Sequence, residues 1–86
     1  MSREIRFGSK ADRFLQDADQ RIVKRIARKI EALAKNPFPR GAKKVLGEEG
    51  VFRTRVGDYR ILFSLENDDR TLLIVNIDKR SRVYKR

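Results

Sequence analysis

The fold is decided by one stretch, Phe52-Arg53-Thr54-Arg55-Val56-Gly57-Asp58-Tyr59-Arg60-Ile61-Leu62-Phe63. Side chains alternate with a period of two on both sides of Gly57-Asp58, which is typical of two β-strands joined by a two-residue turn. Opposite residues of an antiparallel pair share one face of the sheet, so this turn pairs Arg55 with Arg60 and leaves Arg53 on that same face. Because like charges directly opposite each other are destabilising, we interpret the three arginines as a binding site for an anion.

The residues before this hairpin predict one strand and two helices. Residues 4–7 alternate as a short strand. Ser9 is the predicted N-cap of the first helix, with Asp12 in the capping-box position. A second helix is predicted to begin after Asp17 or Asp19 and to end near Lys35, since the residue before Pro37 disfavours helical geometry. The apolar face of the first helix comprises Ala11, Phe14, Leu15 and Ala18, and that of the second comprises Ile22, Val23, Ile26, Ala27, Ile30, Leu33 and Ala34.

The residues after the hairpin predict a third meander strand. Asn67-Asp68-Asp69 marks a turn, and residues 71–77 are apolar on both faces, as in a central strand. The predicted fold class is therefore α+β: strand, helix and helix, followed by a three-stranded antiparallel meander with both helices on one face of the sheet. A chain of 86 residues buries roughly 60–65% of its unfolded surface, so we expect residues 1–86 to form a single domain.

Composition narrows the function classes. Twenty-two Lys and Arg against twelve Asp and Glu give a formal charge of +10, as expected of a phosphate binder, of a protein held by an acidic partner, or of a merely well-solvated basic surface. The absence of histidine and cysteine excludes disulfides, the usual zinc sites and histidine-based acid–base catalysis. No apolar run is long enough to span a bilayer and residues 1–6 do not read as a signal peptide, so we expect a cytoplasmic protein without a membrane partner.

The end of the chain favours nucleic acid as the anion. Five of the last eight residues are basic, and Tyr84 stands among them. Basic residues neutralise a phosphate backbone, and a tyrosine ring stacks on an unpaired base.

Three segments taken together resemble the RelE/ParE toxin superfamily, and specifically its RelE branch. They are residues 37–47 (PFPRGAKKVLG), residues 52–63 with the core RVGDYR, and residues 79–84 (KRSRVY). The resemblance implies a RelE-like, microbial-RNase-type fold in a toxin of a type II toxin–antitoxin system. It also implies a ribosome-dependent endoribonuclease that cuts messenger RNA in the decoding site by 2′-hydroxyl attack. Because the chain has no histidine or cysteine and no carboxylate cluster near the arginines, we expect this cleavage to need no metal and no cofactor.

The same resemblance implies residue roles and partners. The catalytic residues it implies are Arg53, Arg55, Arg60, Arg80 and Tyr84, and the further RNA-binding residues are Lys43, Lys44, Lys79, Arg82, Lys85 and Arg86. The expected partners are the ribosome with its messenger RNA and an acidic, RelB-like antitoxin, with the free toxin a monomer and the antitoxin complex of higher order.

Two points stay open on the sequence. Arginine is a poor proton acceptor, so the general base is not identified, and Lys79 or Tyr84 would need a lowered pKa to serve. The alternative functions are a ParE-type toxin that inhibits gyrase without nuclease activity, and a non-enzymatic member that binds RNA or only its antitoxin. From the like-charge pair alone, we expect removal of Arg60 to leave the fold as stable or slightly more so.

Overall fold

The computed structural model describes residues 2–38 and 42–79. Its elements are β1 (Glu4–Phe7), α1 (Ser9–Asp17), α2 (Gln20–Lys35), β2 (Lys43–Lys44), β3 (Phe52–Val56), β4 (Tyr59–Glu66) and β5 (Thr71–Lys79). The sheet has the strand order β1-β5-β4-β3-β2, with β1 parallel to β5 and the other neighbours antiparallel. The predicted α+β class and the meander are confirmed. The two-residue strand β2 was not predicted, because lysine is depleted in strands and two residues show no alternation.

The two helices begin differently from each other. Asp19, one of the two predicted starts, caps α2, because its carboxylate accepts a 2.8 Å hydrogen bond from the Arg21 amide. The prediction for α1 is wrong: Gly8 is the N-cap, and Ser9 is the first helical residue. The Gly8 amide donates to the Ile74 carbonyl of β5 at 2.8 Å, so the chain leaves the sheet and enters α1 at Gly8. Neither helix in the described part of the chain is long and apolar enough to cross a membrane.

The core lies between the helices and one face of the sheet, which we call the helix face. The buried residues of α2 are those predicted from its stripe, Ile26, Ile30, Leu33 and Ala34, whereas Ala27 of that stripe is exposed. They form one cluster with Ala11 of α1 and with Ile61, Phe63, Leu72, Ile74 and Ile77 of the sheet. Phe14 also packs edge-on against Tyr59, at a centroid distance of 5.8 Å. This packing leaves the arginines of β3 and β4 on the opposite face of the sheet, the outer face.

The two hairpins that share β4 differ in regularity. In the first, Gly57 has a φ of +57° and Asp58 is not among the positive-φ residues, as in a hairpin turn with glycine first. Its register runs without a break from the pair Val56 and Tyr59 to the pair Phe52 and Phe63. In the second, the register shifts by one residue at a β-bulge.

The bulge changes which residues of β5 share a face with the arginines. Phe63 pairs with Ile74, but Leu62 pairs with Asn76, so Val75 is the extra residue. A continuous register from the Asn67–Arg70 turn would place Ile77 opposite Arg60. The bulge instead turns Ile77 into the core and places Asp78 opposite Arg60.

Candidate functional site

The outer face gathers four of the predicted basic residues, which lie on β2, β3 and β4. Arg55 lies directly opposite Arg60, as the hairpin turn predicts, and Arg53 projects from the same face. Lys43 of β2 pairs with Arg53 and therefore shares this face. Lys43 and Arg55 are exposed, while Arg53 and Arg60 are partly buried. Strands β2, β3 and β4 thus place four cations side by side on the outer face.

A carboxylate also belongs to this cluster. Asp78 of β5 lies opposite Arg60 and accepts two hydrogen bonds from it, 3.1 Å from Nε to Oδ1 and 3.0 Å from Nη2 to Oδ2. The Arg60 side chain is 19% exposed, and the Asp78 side chain is 38% exposed. Such a bidentate contact fixes the plane of the guanidinium group. Arg60 therefore lies between a like charge, Arg55, and a counter-ion, Asp78. The expectation that removal of Arg60 would only relieve repulsion did not take this counter-ion into account.

Sequence reasoning missed Asp78 because its face depends on the bulge. Alternation counted forward along β5 from the Asn67–Arg70 turn assigns Ile77 to the outer face and Asp78 to the helix face. The available signal was the apolar character of Ile77, which is 2% exposed and belongs in the core. A register that buries Ile77 must bring Asp78 onto the arginine face.

Helix α2 contributes a further cation near the first hairpin. A β-carbon added to Gly57 would lie 2.5 Å from Nη2 of Arg25, so this exposed guanidinium lies directly over the turn. The helical period leaves Arg25 outside the apolar stripe of α2. Its reach over the turn follows from how α2 lies across the sheet, which periodicity within the helix does not reveal.

The remaining predicted residues do not all join the cluster. Lys44 pairs with Phe52 and Lys79 pairs with Tyr59, so the register assigns both lysines to the side of the sheet that bears the helices. Both lysines are exposed. Five further predicted residues lie outside the described residues: Arg80, Arg82, Tyr84, Lys85 and Arg86.

The outer face has the chemistry of a phosphate site. Guanidinium groups present planar forks of N–H donors that match phosphate oxygens, and the cations here sit on paired strands rather than on loops. Within residues 2–38 and 42–79, no group of three or more Asp, Glu, His or Cys side chains could hold a metal ion. The described site therefore consists of basic side chains and one paired carboxylate.

The chain is similar in sequence to known toxin proteins. A family model described as the ParE toxin of type II toxin–antitoxin system, parDE, matches residues 5–84. The RelE1 protein of Methanocaldococcus jannaschii is 32% identical over 74 residues, which make up 83% of this chain and 82% of that protein. Toxin RelG of Mycobacterium tuberculosis is 28% identical over 83 residues, or 95% of each chain.

A solved structure shares the whole architecture. The chain matches the toxin–antitoxin complex RelBE2 of Mycobacterium tuberculosis with a TM-score of 0.75 at 29% identity, over 93% of this chain and 100% of that one. The fold of this chain therefore recurs in a protein of related sequence.

Proposed function

This chain belongs to the ParE toxin family of type II toxin–antitoxin systems, as a RelE-like toxin, and from that premise we propose that it is a ribosome-dependent endoribonuclease. Its substrate is messenger RNA in the ribosomal decoding site, so its place of action is the cytoplasm. Cleavage there stops translation.

The observation that carries the proposal is the outer face itself. Arg55 and Arg60 face each other across β3 and β4, with Arg53 and Lys43 beside them. Attack of a 2′-hydroxyl on the adjacent phosphate places extra negative charge on a pentacoordinate phosphorus. Guanidinium groups fixed on paired strands stabilise that charge more than they stabilise the ground state. Arg80 and Tyr84 complete the proposed catalytic set, with Arg82, Lys85 and Arg86 as further RNA contacts.

The test is to map and characterise cuts in messenger RNA. Primer extension after induction of this chain should reveal cuts within translated codons, and purified ribosomes carrying messenger RNA should give the same cuts. The product should end in a 2′,3′-cyclic phosphate with a 5′-hydroxyl on the other fragment. Product ends with a 5′-phosphate would point to attack by metal-activated water instead and would contradict the proposed chemistry.

The family description favours one alternative, inhibition of DNA gyrase, because the matching model is the ParE toxin. This function requires a protein-binding surface and no nuclease residues, so the paired arginines would have no role in it. A supercoiling assay with purified gyrase distinguishes the two functions. Inhibition of gyrase together with intact messenger RNA would replace the ribonuclease proposal.

We also propose an acidic antitoxin as the partner in the resting cell. The related RelBE2 structure is a toxin–antitoxin complex, and the formal charge of +10 on this chain suits an acidic protein. We expect poor growth when this chain is expressed alone, and recovery of growth and co-purification when the antitoxin is present. Vigorous growth of cells that accumulate the folded chain without antitoxin would contradict every toxin function.

A further inference from the structure

The position of Asp78 is not explained by phosphate binding. Its carboxylate lies beside Arg60, within a surface that also carries Arg55, Arg53 and Lys43. A negative charge at this position repels the phosphate that the surrounding cations attract. An acidic side chain on such a surface weakens simple anion binding, so its contribution must lie elsewhere, in the fold or in the chemistry.

The Arg60–Asp78 pair matches the two groups that react in RNA cleavage. On one ribose, the 2′-hydroxyl is a hydrogen-bond donor, and the neighbouring phosphate presents acceptor oxygens. The pair presents an acceptor and a donor side by side, in contact at 3.0 and 3.1 Å. Each oxygen of Asp78 accepts one hydrogen bond from Arg60, and a carboxylate oxygen has two lone pairs. The Asp78 side chain is also 38% exposed, so a substrate hydroxyl can approach it from solvent.

We propose that Asp78 is the general base of the RNA cleavage, an inference that rests on the proposed ribonuclease function. Its carboxylate takes the proton of the 2′-hydroxyl while the 2′-oxygen forms a bond to phosphorus. The bond from phosphorus to the 5′-oxygen breaks, its electron pair stays on that oxygen, and water protonates it. Asp78 then returns its proton to water. The products are a 2′,3′-cyclic phosphate and a 5′-hydroxyl.

The surroundings favour Asp78 over the arginines, Lys79 and Glu66. Arginines do not accept protons, and the strand register assigns Lys79 to the other side of the sheet. Glu66 lies at the far end of β4, where its carboxylate accepts a hydrogen bond from Ser64 at 2.8 Å. The strand register places Arg60 and Arg55 in the same row as Asp78, and Lys79 follows Asp78 along β5.

The first experiment compares Asp78→Asn with Glu66→Gln on ribosomes carrying messenger RNA. Both variants neutralise a carboxylate, and Asp78→Asn keeps the size of the side chain. If Asp78 is the base, its variant should lower single-turnover cleavage by on the order of 10²- to 10⁴-fold, while Glu66→Gln cleaves like the wild type. Ribosome binding should stay within a few-fold or tighten for Asp78→Asn, since a negative charge is removed. Thermal unfolding of each variant shows whether the fold is retained.

The second experiment separates proton transfer from positioning of Arg60. Asp78→Ala is assayed with added acetate or fluoroacetate, which have nearly the same size but differ in basicity, at constant ionic strength. If the missing group is a base, acetate should restore cleavage more than fluoroacetate does.

Each outcome decides one of the two proposals. Equal rescue by the two carboxylates, or unchanged cleavage by Asp78→Asn, would overturn the assignment of Asp78 as base and leave the ribonuclease function standing. If the wild type itself leaves messenger RNA uncut on ribosomes, the ribonuclease function fails, and the assignment fails with it.

Discussion

The two hairpins that share β4 are built by different rules. The β3–β4 hairpin has a glycine-first turn and an unbroken register, so its cross-strand pairs follow from the turn alone. The β4–β5 hairpin has a one-residue bulge at Val75. The pairing of residues 59–62 with β5 is therefore set by the core, which requires Ile77 on the helix face. The first hairpin places two arginines opposite each other, and the second supplies the carboxylate that one of them contacts.

The comparison shows how a single extra residue can change a site without changing the fold. Both registers keep β5 paired with β4, but only the bulged one puts Asp78 on the outer face. Bulges often occur next to active sites because they re-aim a side chain while the strands stay paired. The bulge lies where β1 ends and α1 begins, and the Gly8 amide donates to the carbonyl of Ile74 next to it.

The largest effect is expected where the two hairpins meet, at Arg60. Arg60→Ala should lower single-turnover cleavage by on the order of 10²-fold, the scale for loss of one fixed donor that stabilises developing charge. It should also lower the free energy of unfolding by about 1 kcal/mol, because the partly buried Asp78 loses its partner, offset in part by relief of the repulsion from Arg55. In a domain of this size, that change lowers Tm by about 4–8 °C.

The matched control is Arg21→Ala. Arg21 also forms an ion pair with an aspartate, Asp19, but the two side chains are 90% and 56% exposed. Exposed pairs contribute little, and the helix cap uses the backbone amide of Arg21, so Tm and cleavage should not change. Full cleavage by Arg60→Ala at unchanged Tm would mean that Arg60 and its contact with Asp78 contribute nothing to function or stability.

The difference between the hairpins also explains how far the sequence could be read. Alternation and the turn at Gly57-Asp58 were enough for the pair Arg55 and Arg60, and helical periodicity was enough for the buried residues of α2. The start of α1 was misplaced because Gly8 is held by the backbone of β5, a contact between residues far apart in the chain. Asp78 was missed, and the position of Arg25 over the turn was not foreseen, for a similar reason: a bulge and the direction of a helix across a sheet are set by tertiary packing.

A smaller effect is expected at the turn of the first hairpin. Gly57→Ala should lower the free energy of unfolding by about 1–2 kcal/mol, because its φ of +57° is left-handed and costly for a residue with a β-carbon. The new β-carbon would also displace the guanidinium of Arg25. The same substitution should therefore cost less in an Arg25→Ala background, by a few tenths of a kcal/mol.

Gly50→Ala is the control for this coupling. Gly50 has a φ of +79°, but a β-carbon there would meet nothing within 4 Å. Its cost, measured by denaturant unfolding, should be the same with and without Arg25. Equal costs for Gly57→Ala in the two backgrounds would show that Arg25 does not lie over the turn in solution.

The second hairpin can be tested next to its bulge, at Gly8. A β-carbon on Gly8 would lie 3.3 Å from the carbonyl oxygen of Val75 and 3.4 Å from that of Ile74. Gly8→Ala adds this crowding to a poor N-cap residue, so it should lower the free energy of unfolding by about 0.5–1 kcal/mol. Gly8→Ser adds the same β-carbon but restores a capping side chain, and should recover part of the loss. If both variants match the wild type in denaturant unfolding, the close approach of Gly8 to the bulge is not a constraint.

The smallest effect is expected at Arg25, which acts at the edge of the first hairpin rather than at its centre. An arginine over the turn can contact a phosphate next to those bound by the outer face, and such a contact contributes mainly through counter-ion release. Arg25→Ala should therefore weaken RNA binding, reduce the salt slope of the binding constant by about 0.7–0.9, and leave single-turnover cleavage at saturation unchanged. Arg70→Ala removes an exposed arginine of the Asn67–Arg70 turn, at the opposite end of β4, and should leave both the affinity and the slope unchanged. Equal salt slopes for Arg25→Ala and the wild type would confine RNA binding to the outer face and to the residues beyond Lys79.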